Sequence, residues 1–227
     1  MSNDKLKVIA KIYTDFPEKF GIPRQSGLVD NEGIIVFEPE YRNPDAVRGL
    51  EEFKYIWVLW EFSKSKCENW SPTVRPPRLG GNKRLGVFAT RSPFRPNPIG
   101  LSSLKLLRVE FSESKGPIIY VSGADMLNET PIYDIKPYLQ YADSHEDANN
   151  GFTDATLGRL KSVEISKDLT KNISSKDISR IIDLLLEDPR PSYQDDRDRV
   201  YSMRYKQFEV KFKVKDRQVF VEDILEY

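Results

Sequence analysis

The chain has 227 residues, 39% hydrophobic and 11% aromatic, so it can bury a core and is not a disordered chain. Lys plus Arg number 35 and Asp plus Glu 35; zero net charge excludes an overall affinity for polyanions but not a local basic face. One cysteine (Cys67) excludes an internal disulfide, one histidine (His145) beside it excludes the usual four-ligand zinc site, and no apolar run approaches the ~20 residues of a membrane span.

At ~100–200 residues per domain, the length fits one domain plus an appendage, or two small domains. The N-terminus, MSNDKLKVIAKIY, has no hydrophobic region and no cleavage site, so a soluble cytoplasmic protein is expected. Short strand signals fill the first two-thirds. Leu6–Tyr13, Gly33–Phe37, Tyr55–Phe62 and Ile118–Ser122 are β-branched or aromatic runs bounded by Gly, Pro or Asn. Tyr55–Phe62 (YIWVLWEF) is nearly continuous apolar, which predicts burial of both its faces. Ala46–Phe53, after Pro44, reads as a short helix.

Asn69 to Val109 holds no acidic residue but eight basic ones: Arg75, Arg78, Lys83, Arg84, Arg91, Arg95, Lys105 and Arg108. It also holds six of the fifteen prolines and the pair Gly80-Gly81. Prolines at this density exclude a mostly helical segment. Leu85–Thr90 and Ile99–Leu107 inside it read as strands, so the expectation is rigid loops displaying cations from a β scaffold. No alternation of strands with long helices appears, and no G-x-G-x-x-G or Walker A string. The predicted fold is mainly β, an antiparallel barrel over residues 1–156.

Gln140–Thr156 is polar, acidic and rich in turn formers, which suggests a loop or linker. Beyond it, Ser174 is placed to cap a helix running to about Glu187, with Asp177 completing a capping-box pattern. Ile178, Ile181, Ile182 and Leu185 share one helix face, and Pro189 ends the run. Phe208, Val210, Phe212 and Val214 alternate with charged residues, and Asp216-Arg217 turns that strand into Gln218–Leu225. Residues 157–227 are therefore expected to form a small α+β appendage.

Four segments carry polar chemistry on rigid backbone: Lys19–Val29, Glu61–Lys64, Thr73–Ser102 and Gly123–Leu139. In the third, Pro96 and Pro98 flank Asn97, a pre-aimed amide that both donates and accepts. Arg91 and Arg95 suit phosphate or carboxylate through the guanidinium fork. In the fourth, Asp125 and Asn128 follow a strand, where ribose hydroxyls or an amino group can bind. Asp134 sits among apolar neighbours and must find a partner or shift its pKa, and a nearby Lys or Arg is the plain alternative. His145 reads as a loop histidine and Cys67 as incidental, which leaves nucleophilic catalysis without a base. Trp57 and Trp60 read as core, and Tyr41 and Tyr138 suit either stacking on a base or a structural role.

Together these segments resemble the TrmO-type tRNA N6-adenosine methyltransferases. GVFATRSPFRPNPIGLS carries the likeness, which extends through AVRGLEEFKYIWVLWEFSK, VRPPRLGGNKR, TPIYDIKPYL and DPRPSY to nearly the whole chain. The resemblance implies a homodimeric β-barrel enzyme that moves a methyl group from S-adenosylmethionine to N6 of threonylcarbamoyl-adenosine at position 37, in the anticodon loop of tRNA. By motif, it assigns the methyl donor to Pro23, Arg24, Gln25, Ser63, Lys64, Arg91, Leu101, Asp125, Met126, Leu127 and Asn128. Ser63 stands where many members have His, and Glu129 where many have Gly. The tRNA phosphates and extruded base are expected on Arg75, Arg78, Lys83, Arg84, Arg95 and Asn97. Asp134 or Tyr133 is the candidate proton acceptor or orienting group, and no metal is required. A non-catalytic RNA-binding barrel and a small-molecule methyltransferase are the competing readings. Retention of the donor-binding segments argues against the first and the extended cationic stretch against the second.

Overall fold

The structure, a computed structural model, describes residues 6–65, 69–79, 83–156, 160–191 and 196–227. Cys67, Gly80-Gly81 and the side chain of Arg78 lie outside the described residues. In chain order the strands and helices are β1 (Ala10–Thr14), β2 (Glu32–Phe37), β3 (Tyr55–Glu61), β4 (Thr73–Val74), β5 (Leu85–Gly86), β6 (Ile99–Ser112), β7 (Gly116–Ser122), β8 (Thr130–Pro137), α1 (Gln140–Asp143), β9 (Ser162–Glu164), α2 (Ser175–Leu186), β10 (Tyr201–Tyr205), β11 (Phe208–Lys215) and β12 (Gln218–Glu226).

Contacts divide the chain into two compact units that interleave in sequence. The first comprises Met1–Asp15, Arg24–Trp70 and Pro93–Glu146; the second comprises Phe16–Pro23, Ser71–Ser92 and Asp147–Tyr227. A division by chain order at residue 156 therefore differs from the division by contacts at Phe16–Pro23, Ser71–Ser92 and residues 147–156.

The first unit is a closed barrel, in the order β1-β2-β7-β6-β3-β8, with every neighbouring pair antiparallel. Strand alternation sends one set of side chains inward. Ala10, Ile12, Ile35, Ile56, Val58, Trp60, Leu104, Ile119, Val121 and Ile132 fill the interior. Closure leaves no edge strand to pair with another chain.

The apolar run of β3 is buried on one face only. Ile56, Val58 and Trp60 point inward, while Trp57 and Leu59 are half-buried and Tyr55 is exposed. The barrel interior accepts one face; the other is partly covered by the segment after β8. There Trp57 packs against Tyr138, with ring centroids 5.5 Å apart, and donates its Nε1–H to Asp143 Oδ2 at 2.8 Å. The helix expected over Ala46–Phe53 is two 3-10 turns, Pro44–Val47 and Leu50–Glu52, broken where Gly49 takes φ of 84°. Of Leu85–Thr90, only Leu85–Gly86 is strand, and Val87–Ala89 forms a 3-10 turn closed by the Thr90 N–H on the Val87 carbonyl.

The second unit carries a four-stranded sheet in the order β10-β11-β12-β9, with β9 parallel to β12. Ser174 caps α2 by accepting from the Asp177 N–H at 3.1 Å. Asp216 and Arg217 turn β11 into β12 with φ of 49° and 66°, the left-handed pair that a tight hairpin uses. Phe16 is fully buried against Tyr205, which explains why Phe16–Pro23 clusters with this unit.

Candidate active site

The antiparallel order brings the C-termini of β1, β3 and β7 and the N-termini of β2, β6 and β8 to one end of the barrel. Loops from four separated stretches meet there. The Gly27 N–H donates to the Gly123 carbonyl at 3.0 Å, and the Gly123 N–H to the Asn31 carbonyl at 2.8 Å. Asn31 Nδ2 holds the Ala124 carbonyl at 2.8 Å. The Phe62 N–H donates to the Pro98 carbonyl at 2.8 Å, joining the end of β3 to the proline-flanked loop.

Asp125 stands on this end. Its Oδ1 accepts from Ser102 Oγ at 2.6 Å, and Ser102 Oγ accepts from Trp60 Nε1 at 2.9 Å. The side chain of Met126 belongs to the barrel core, and its carbonyl accepts from Thr14 Oγ1 at 2.9 Å. Met126 as a whole is buried. The Leu127 carbonyl accepts from Thr130 Oγ1 at 2.7 Å, and Asn128 Oδ1 accepts from the Thr14 N–H at 3.1 Å. Glu129 then takes φ of 63°, a conformation that glycine adopts without cost and glutamate does not. The Glu found where many members have Gly is thus accommodated in the left-handed backbone itself.

Tyr133 and Asp134 owe their placement to a β-bulge. Trp60 pairs with Ile132 but Leu59 pairs with Asp134, so Tyr133 is the extra residue. Two consecutive side chains therefore leave the same outer face of the barrel. The Tyr133 phenol is pushed up to about 12 by burial and by its hydrogen bond to the Glu61 carboxylate, so it is a neutral donor at neutral pH. Asp134 pairs with a lysine, as the plain reading allowed, but outside the core. Its Oδ2 lies 2.7 Å from Lys136 Nζ, and Oδ1 accepts from the Ile135 N–H at 2.9 Å.

The other predicted residues separate by unit. Arg24, Gln25, Ser63, Lys64, Arg95, Asn97 and Leu101 belong to the barrel unit; Pro23, Arg75, Arg78, Lys83, Arg84 and Arg91 belong to the second. Gln25 Nε2 folds back to donate to the Arg24 carbonyl. Ser63 opens the 3-10 turn Ser63–Ser65, and Leu101 is 55% exposed on the outer barrel face. Arg75, Lys83, Arg84, Arg91 and Asn97 are exposed, with Arg84 Nε donating to Thr73 Oγ1 at 2.8 Å. The acid-free stretch is therefore not one continuous element. Arg108 lies on β6, paired with Glu110 at 2.6 Å and 3.5 Å from the centre of the Tyr120 ring, so its charge is locally matched.

Sequence reasoning did not single out Ser102, Glu61, Asn31 or Thr14, and read Trp60 only as core. For Ser102 there was a signal. It lies two residues after Gly100 in a strand, so a polar side chain occupies an inward position.

A closed β-barrel whose loop end gathers carboxylates, amides and cations, with no nucleophile–base pair among the described residues, defines a non-Rossmann binding or group-transfer fold. The profile of the tRNA-methyltransferase O N-terminal domain matches residues 11–144, and that of the TrmO C-terminal domain matches residues 159–227. The chain is 37% identical over 225 residues to a tRNA (adenine(37)-N6)-methyltransferase of Escherichia coli (strain K12), covering 95% of each chain. It is 41% identical over 173 residues to the enzyme of that name from Eikenella corrodens, covering 76% of this chain and 97% of the other. A putative S-adenosylmethionine-dependent methyltransferase of Pseudomonas aeruginosa is 39% identical over 194 residues, covering 82% of this chain and 81% of that one. A crystal structure of TrmO from P. aeruginosa superposes with a TM-score of 0.78 at 30% identity, covering 100% of this chain and 99% of that chain. The chain belongs to the TrmO family of tRNA methyltransferases.

Proposed function

We propose that this chain transfers a methyl group from S-adenosylmethionine to N6 of threonylcarbamoyl-adenosine at position 37, in the anticodon loop of tRNA. The observation that carries the reading is that, at one barrel end, backbone hydrogen bonds join Gly27 and Asn31 to Gly123 and Phe62 to Pro98. The names of the relatives, which specify adenine 37 and N6, support the acceptor. S-adenosylmethionine, when bound, supplies a methyl group on a positively charged sulfur for in-line displacement.

The residues present fit a donor with hydroxyl and ammonium groups. Asp125 Oδ1 accepts from the Ser102 hydroxyl, and a carboxylate acceptor suits such groups. To the donor we assign Pro23, Arg24, Gln25, Ser63, Lys64, Arg91, Leu101, Asp125, Met126, Leu127 and Asn128. The chain's contribution is largely positional, holding N6 in line and away from water. The amine loses a proton as it is methylated. Asp134 is the proposed acceptor, and Tyr133, a neutral phenol, is the orienting group. Arg75, Arg78, Lys83, Arg84, Arg95 and Asn97 hold the anticodon stem-loop, so binding weakens steeply with salt. A cytoplasmic homodimer completes the reading.

The test is transfer of labelled methyl from S-adenosylmethionine to tRNA from cells with and without threonylcarbamoyl-adenosine, with the nucleoside mapped by mass spectrometry. Label on N6 at position 37, in the pre-modified tRNA alone, is expected. Donor binding with label on a small metabolite and none on tRNA would move the assignment to a small-molecule methyltransferase. tRNA binding without donor binding would leave a non-catalytic RNA-binding barrel.

A further inference from the structure

We infer that Ser102 is a positioning residue of the methyl-donor site: it takes the indole N–H of Trp60 and directs its own proton to Asp125, fixing the plane of that carboxylate. The inference rests on the reading that Asp125 holds the donor.

The geometry of β3 and β6 carries it. Trp60 lies directly opposite Gly100 in the antiparallel register. A Cβ on Gly100 would sit 2.2 Å from Trp60 Cε2, so only glycine lets the indole lie across the strand. Two residues on, the next inward side chain is Ser102, 1% exposed, and the indole N–H reaches its Oγ at 2.9 Å. Leu101 between them points outward. The indole is held on its other side by Phe62, with ring centroids 4.2 Å apart.

The polarity of this chain is set by chemistry. An indole N–H only donates, so it occupies an acceptor site of the hydroxyl. The single proton of Ser102 is then directed to Asp125 Oδ1, 2.6 Å away. The terminal torsion of an aspartate is broad and soft, so an unheld carboxylate rotates. With Oδ1 fixed from inside the barrel, the direction of Oδ2 follows. A site pre-organised in this way loses less entropy when a ligand binds. The Gly-Leu-Ser run after Ile99 thereby acquires a physical meaning: room for the indole, an outward side chain, and a hydroxyl that relays the indole's position to the carboxylate.

The experiment measures S-adenosylmethionine affinity by titration calorimetry for the full-length wild type, Ser102→Ala, Ser102→Cys, Asp125→Ala and the double variant Ser102→Ala/Asp125→Ala. Ser102→Ala should weaken donor binding roughly tenfold, in keeping with a hydrogen bond to a charged group. Ser102→Cys keeps the packing with only a weak donor and should behave alike; it decides the matter if the alanine variant does not fold. In the Asp125→Ala background, loss of the Ser102 hydroxyl should add nothing, and tRNA affinity should not move. In the protein without donor, the Trp60 indole N–H resonance, assigned by its loss in Trp60→Phe, should shift in Ser102→Ala. Wild-type donor affinity in both Ser102 variants, with Asp125→Ala impaired, overturns the inference and leaves the Asp125 assignment standing. An additive further loss in the double variant also overturns it, since Ser102 would then act independently of Asp125. Wild-type affinity in Asp125→Ala overturns the assignment of Asp125 to the donor, and the inference with it.

Discussion

The barrel and the four-stranded sheet of this molecule bury one face each by different means. The barrel curls its sheet closed and has no edges. The second unit leaves its sheet open and sets α2 beside it, from the β10–β11 turn, where Lys206 Nζ meets Asp177 Oδ1 at 2.6 Å, to β9. Their interiors differ accordingly. The open sheet turns inward Tyr201, Met203, Tyr205, Phe208, Val210, Phe212, Val214, Val219 and Val221. The barrel buries Ser102 and Thr130 as well, each with its partner, at the end where the site loops emerge. A buried hydroxyl without a partner costs about 1–3 kcal/mol, so such residues persist where a network receives them. Buried serine and threonine hydroxyls thus lie at the loop end of the barrel, whereas the open sheet buries aliphatic and aromatic side chains, Tyr201 and Tyr205 among them.

The comparison breaks most sharply on Phe212→Ala. Phe212 is fully buried in the second unit, and its truncation should cost about 3–5 kcal/mol. If the units unfold separately, urea denaturation followed by separate probes moves only the second unit's transition; a single shared shift shows that they unfold as one. Gly100→Ala comes next. The added methyl must displace the Trp60 ring, at a cost of about 1–3 kcal/mol, and the loss should fall on the barrel transition. Glu129→Gly should work in the opposite direction, stabilising the barrel by about 1 kcal/mol as the left-handed φ of 63° ceases to be strained. Thermal melting measures it, and no gain would show that the turn is held by its neighbours alone.

The smallest effect is one of pH. Asp143 is held below its ordinary value of 3.8 by the Leu139 backbone N–H first and the Trp57 indole N–H second. Its contribution to stability is present above that ordinary value and is lost as pH falls through the lower, folded one. Asp143→Asn should therefore reduce barrel stability near neutral pH and flatten its fall in acid, as read from denaturation midpoints between pH 2 and 6.

The helix and hairpin of the second unit were legible in the sequence. Ser174, Asp177 and the apolar face of α2 mark a helix, and the alternation from Phe208 to Val214 marks a strand. These signals are local, and local rules decided the outcome. The barrel was less legible. Tyr55–Phe62 suggested burial on two faces because composition alone does not say what covers the outer one. For Asp134 the sequence left a paired aspartate and a proton acceptor open; the structure pairs it with Lys136 on the outer face, beside the bulge at Tyr133. The acid-free stretch looked like one basic element, yet Ser71–Ser92 and Pro93–Val109 belong to different units.

By itself the sequence determined the β class, the helix and hairpin of the second unit, the motif segments and their family likeness. The class, helix and hairpin follow from residue type and spacing along the chain, and the likeness from the motif strings themselves. The tertiary structure alone decided which motif residues meet at the barrel end, that Met126 turns inward, and that Trp60, Ser102 and Asp125 form one hydrogen-bonded chain. The physical reason is closure. Pairing β3 with β6 and β8 sets registers between residues tens of positions apart, and a one-residue bulge reverses which side chains face outward.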